Sequence, residues 1–196
     1  MRYRFPAHSG NAEGGDCQKG MRPLARPRLP VLTIVLIGLS VLASIAVLSG
    51  SRAAVEPLLI ASPGGRGFSQ VVSGEVWRLV TPIFVHFGLL HILFNMMWLW
   101  DLGGAIERRK GPLFLGGFVI ATGIASNVAQ YVIAGSPFFG GMSGVVYALL
   151  GYVWMQGRYN PDFGIALHQS TVIMMLGWYV LCWTCLLYTS PSPRDS

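Results

Sequence analysis

The chemistry in this chain centres on one serine, two histidines and one asparagine. Ser143 sits in Phe139-Gly140-Gly141-Met142-Ser143-Gly144, directly before an uncharged run, Val145 to Gly157, that reads as a short helix. A hydroxyl at a helix start meets partial positive charge and N–H groups without intrahelical partners. Neighbouring glycines let a substrate carbonyl approach that backbone. The pattern suits a nucleophile, although the hexapeptide taken alone also fits a tight loop in which Ser143 only caps the helix. His91 and Asn95 stand four apart and share a helical face. His86, five before His91, is expected to point about 140° away if it lies on the same helix. Ionisable groups inside a membrane are functional candidates. An interhelical hydrogen bond is the competing reading for His91 and Asn95, and the two weigh equally on these residues alone.

The elements that must position these groups are membrane helices. The 196 residues are 53% apolar before their 25 glycines are counted, and 11% charged. Soluble globular chains reach roughly 45–50% apolar with glycine included. In an integral membrane protein the net charge of +6 speaks of topology and lipid contact, not of nucleic-acid binding. Cys17, Cys182 and Cys185 are odd in number and have no suitably placed histidine, so no zinc site, redox motif or disulfide framework is implied.

Residues 1–28 are polar, basic and without apolar period, which predicts a disordered cytoplasmic arm. Met21 is an alternative start. Leu29 to Gly50 is a first uncharged span, too long for a signal-peptide core. Ser51 to Arg78 forms a long connection ending in Trp77-Arg78, with the tryptophan at an expected interface. Leu79 to Trp100 is the expected second span, closed by Asp101-Leu102-Gly103-Gly104 and a charged loop, Glu107 to Lys110. The uncharged stretch Gly111–Gly157 must contain two helices, one near Pro112–Ala134 and one from Ser143. Ser170 to about Thr184 begins a fifth. The Pro/Ser-rich end, 185–196, reads as a non-native tail.

Lys and Arg concentrate in the arm and in the second and fourth connections, which places the N-terminus in the cytoplasm. The histidines, Asn95 and Ser143 then share the outer side. Helix four, at 15 residues, rises roughly 22 Å, less than the roughly 30 Å hydrocarbon core. Ser143 is therefore expected below the outer surface, fed by irregular backbone that must be packed in protein or line a wet cavity. Ser143, Tyr147 and Gly151 share a face, and Gly144 with Ala148 leaves the adjoining face small.

Taken together, Trp77-Arg78, His86-x4-His91-x3-Asn95, Gly103-Gly104-x-x-Glu107-x-Arg109 and Gly141-Met142-Ser143-Gly144-x-x-Tyr147 resemble the rhomboid family of intramembrane serine proteases, in its bacterial six-helix form. The likeness covers about residues 30–184. It implies an all-α polytopic membrane bundle with five of six helices present, in a rhomboid-like domain over 29–184. It implies Ser143 as nucleophile, with the Ser143 N–H, His91 and Asn95 stabilising the oxyanion. Gly141, Tyr147 and His86 would support the site. Glu107 and Arg109 would belong to a structural network, and the resemblance implies no metal or cofactor. The partners implied are transmembrane protein substrates and the lipid bilayer, in a bacterial inner membrane with the site opening to the periplasm.

The chain departs from that pattern near Cys185. The resemblance places a basic histidine on a sixth helix, and the one histidine after Ser143 here is His168, in a cytoplasmic loop. A serine hydroxyl is weak without an adjacent base. The expectation is an inactive fragment of a protease, with an uncovered glycine face on helix four. A non-catalytic rhomboid-like protein holding transmembrane clients is the principal rival. A transporter or channel is the lesser one, since no internal repeat relates the two halves.

Overall fold

In a computed structural model, the chain is described over residues 2–3, 29–64 and 67–189. The remainder of the expected arm, including Met21, and residues 190–196 of the expected tail lie outside the described residues. The chain divides into two units, 12–149 and a second made of 1–11 with 150–196.

The larger unit holds α1 (Val31–Leu48), α2 (Leu89–Lys110), α3 (Pro112–Ala134) and the first turns of α4 (Ser143–Tyr159). Among the described residues, α1, α2 and α3 are long and apolar enough to cross a membrane. Their outer surfaces confirm the solvent. On α1 the buried positions are Thr33, Leu36, Ser40, Ala43 and Ser44, while Leu39, Leu42 and Ile45 face outward. Small and polar residues inside, with branched apolar ones outside, is the arrangement of helices that pack in lipid. The Ser40 and Ser44 hydroxyls donate to Leu36 O and Ser40 O one turn back.

The second span is displaced from its expected position. Residues 79–88 are not helical with the rest. The chain makes two 3-10 turns, Val76–Leu79 and Thr81–Phe84, and α2 starts at Leu89 after an extended Gly88. Pro82 lies in the second of these turns, where it lacks an N–H to continue a ladder. At the other end, α2 does not stop at Asp101. It passes through one π turn, Leu99–Gly103, and continues to Lys110, so the expected charged loop is the last helical turn. Uncharged length misplaced the span because Glu107 is used inside the protein. Its carboxylate accepts the N–H groups of Leu32 and Thr33, each at 2.8 Å, and the Thr33 hydroxyl at 2.7 Å. A buried negative charge thus caps α1, satisfying N–H groups that a helix start leaves over and matching its dipole.

Gly111, at φ +86°, turns the chain into α3, which Pro112 opens. Gly135, at φ +67°, closes α3 at its other end. The long first connection is tied down by Arg78, which is buried. Its guanidinium pairs with Glu75 and donates to Glu56 O and Leu59 O. Trp77 Nε1 donates to Pro57 O, and Thr81 Oγ1 to Leu58 O.

In the smaller unit, α4 runs on to Tyr159 and α5 covers Gln169–Thr189. Helix continues into the region expected to be a foreign tail. A two-residue antiparallel ladder pairs β1 (Arg2–Tyr3) with β2 (Ile165–Ala166), the one exception among the described residues to an otherwise all-α chain.

Candidate active site

Two irregular segments meet in the larger unit, 80–88 before α2 and 139–142 before α4. Each supplies what the other's backbone lacks. The Gly141 N–H donates to Pro82 O at 3.0 Å. Gly140 is pressed so close that an added β-carbon would lie 2.5 Å from Val85 O. Glycine is required at both positions, at Gly140 by this approach and at Gly141 also by its φ of +122°.

The Met142 N–H donates to His86 Nε2 at 3.3 Å, and His86 Nδ1 lies 3.0 Å from Phe84 O. A backbone N–H can only donate and a carbonyl can only accept. His86 Nε2 must therefore be bare, and Nδ1 carries the proton toward Phe84. His86 is a neutral imidazole of one tautomer, clamping the loop that delivers Ser143. It stands on the connection ahead of α2.

Off the helix, His86 escapes the 140° separation expected from helical geometry. Its ring lies edge-on to that of His91, with centroids 5.2 Å apart. His91, on the first turn of α2, lies over Gly141: a β-carbon there would come 2.5 Å from His91 Cε1 and 2.9 Å from Nε2. Asn95 is one turn further on and buried, and its amide donates to His91 O at 2.8 Å. His91 and Asn95 do share a face, but one of Asn95's two amide hydrogens is already engaged.

Ser143 is the first residue of α4. The first helical bond runs from the Val146 N–H to Met142 O, so the Ser143, Gly144 and Val145 N–H groups have no intrahelical partner. They follow two N–H groups, of Gly141 and Met142, that are already spent on Pro82 and His86. The half-buried Ser143 hydroxyl therefore starts a helix whose free donors begin at the serine itself. Such a terminus favours negative charge nearby.

The face of α4 expected to be bare is partly covered. At Gly144 a β-carbon would collide with Ser126 of α3, whereas Gly151 has nothing within 4 Å. Ser143, Tyr147 and Gly151 are all half-buried, in contrast to Val145, Val146 and Leu149 on the inner side. Asn127, beside Ser126, was not singled out from sequence. Its amide donates to Leu79 O at 2.8 Å and reaches Val80 O at 3.4 Å, fixing the turn ahead of Pro82. Asn127 was legible as a polar residue midway along an uncharged helix.

His168 is exposed, with Nδ1 2.7 Å from the Ser170 hydroxyl. Among the described residues no cluster of three His, Cys, Asp or Glu could hold a metal ion.

The chain matches the family model described as the Rhomboid domain over residues 73–193. It is similar to the rhomboid protease GlpG of Salmonella paratyphi A, of Salmonella choleraesuis and of Salmonella newport. Each is 47% identical over 116 residues, which is 59% of this chain and 42% of the relative. The matched part thus spans less than half the length of these relatives.

Proposed function

We propose, for a chain that belongs to the rhomboid family, that its residues carry the nucleophile and oxyanion donors of an intramembrane serine endopeptidase. The observation that carries this reading is the seating of His91 against Gly141, two residues ahead of Ser143, with His86 holding the intervening N–H. Ser143 Oγ attacks a substrate carbonyl carbon, and the carbonyl electron pair moves onto oxygen. The Ser143 N–H at the start of α4, His91 and the remaining Asn95 amide hydrogen act as donors to that oxygen. Each preorganised donor of this kind is worth about 2.7–4 kcal/mol. Gly140 and Gly141 keep side chains off the approach. Substrates are transmembrane segments of other proteins. The site opens to the periplasmic side of a bacterial inner membrane.

The serine proton needs an acceptor. His168 is exposed and occupied with Ser170, so the 196 residues by themselves hydrolyse slowly. The test is a fluorophosphonate probe applied to the protein in its own membranes, with the label mapped by peptide. Labelling at Ser143, lost in Ser143→Ala, is expected, and the isolated 196-residue chain should label far more slowly. Absence of labelling in the source membranes would leave a non-catalytic protein that holds transmembrane clients. Rapid Ser143-dependent cleavage by the isolated chain would refute the missing-base argument.

A further inference from the structure

At the end of α2 remote from the candidate site lies a cavity of about 710 Å³ that the proposed reaction does not use. With a rise of 1.5 Å per residue, Lys110 is roughly 28 Å along the helix from His91. Arg108, Arg109 and Lys110 line one side of the cavity, and Leu29, Val31 and Val35 line another. Those three apolar side chains are exposed. Complementing the dipole at the C-terminus of α2 accounts for the cations, but it does not account for an apolar trough running from them along α1. Glu107 also lines the cavity, with both oxygens turned to the α1 backbone.

We propose that this cavity binds one anionic phospholipid. Arg108 and Lys110 hold its phosphate, and its upper acyl chain lies along Leu29, Val31 and Val35. Size and charge together select this occupant. The volume falls within the range of about 300–1,000 Å³ for small-molecule pockets, enough for a headgroup and the first chain segment but not for another helix. A soluble phosphate would satisfy the cations and leave the trough to water. A zwitterionic lipid would fill the trough but bring its own cation to a basic rim. Basic pockets between transmembrane helices on the cytoplasmic side recognise anionic headgroups by this means. Gly111 and Pro112 also border the cavity, so a bound lipid would join the start of α1 to the turn between α2 and α3.

The test reconstitutes the whole chain in phosphatidylcholine vesicles with spin-labelled phosphatidylglycerol or spin-labelled phosphatidylcholine. The motionally restricted fraction gives relative association. A charged residue near the surface contributes roughly fivefold, so the Arg108→Gln/Lys110→Gln pair should lose about twenty-five-fold in preference for the anionic label. Val35→Trp fills the trough and keeps both cations, and it should also abolish the preference. Retention of full preference in Val35→Trp would reduce the effect to surface charge and overturn the proposal. Equal association of both labels with the parent chain would do so too, as would displacement of the anionic label by millimolar glycerol 3-phosphate.

Discussion

Replacing Gly141 by alanine should disturb the candidate site while leaving the bundle folded. Two penalties meet at this residue. Its φ is +122°, and a β-carbon would lie 2.5 Å from His91 Cε1. Carbon atoms in contact rest at about 3.5–4.0 Å, so the ring or the loop must yield by about 1 Å. Gly135 separates the two penalties, because its φ is +67° but nothing lies within 4 Å. A left-handed conformation costs an L-residue about 1–2 kcal/mol. Gly135→Ala should therefore lower stability by that amount and leave the histidines alone. Gly141→Ala should show the strain and also move His91. The chain has four histidines, so the imidazole nitrogens of histidine-labelled protein in bilayers can be followed individually by NMR. The His91 signals should shift in Gly141→Ala, and the His86 signals should lose the signature of a single hydrogen-bonded tautomer. Both should stay in place in Gly135→Ala. A misplacement of about 1 Å can cost on the order of a hundredfold in rate, and fluorophosphonate labelling at Ser143 in source membranes should fall accordingly. Unchanged histidine signals and a labelling rate within about twofold of the parent would refute the reasoning.

Three further outcomes follow from the same structure. Glu107→Gln exchanges one of two acceptor oxygens for a donor that faces the α1 N–H groups, and should destabilise by about 1–3 kcal/mol in a reversible unfolding assay. Gly144→Ala forces Ser126 aside and should cost about 1–3 kcal/mol, whereas Gly151→Ala meets nothing and should gain up to about 1 kcal/mol from helix propensity. His86→Phe removes the acceptor of the Met142 N–H and should cost about 1–3 kcal/mol in the same assay.

The parts of the fold legible in the sequence were those set by local composition. The α3 boundaries follow from Gly111-Pro112 and from Gly135, and α4 begins at Ser143 as its glycines suggest. The displaced second span was not legible, because its limits are set by tertiary contacts. Reading charge as a loop signal fails where a carboxylate caps another helix 74 residues away. Reading uncharged length as helix fails over 79–88, where the backbone bonds to Asn127 and to the Gly141 loop. His86 shows the consequence. A helical wheel separates it from His91, while the break at Gly88 brings the two rings to 5.2 Å.

That break also explains why the candidate site lies where it does. Backbone that leaves helical geometry at membrane depth must find partners within the protein, because lipid offers none. Either segment alone, 80–88 or 139–142, would present unpaired polar groups. Packed together, Pro82 O receives Gly141, His86 receives Met142, and Asn127 secures Leu79 from a third element. Satisfying those groups needs glycine at 140 and 141, and a neutral histidine that accepts on one nitrogen and donates on the other. The same contacts leave the next N–H groups, beginning at Ser143, without helical partners. Three of the residues that resemble a catalytic motif, His86, Gly141 and Met142, are thus accounted for by backbone satisfaction. What backbone satisfaction leaves over is the Ser143 hydroxyl, and the placement of His91 over the loop that presents it.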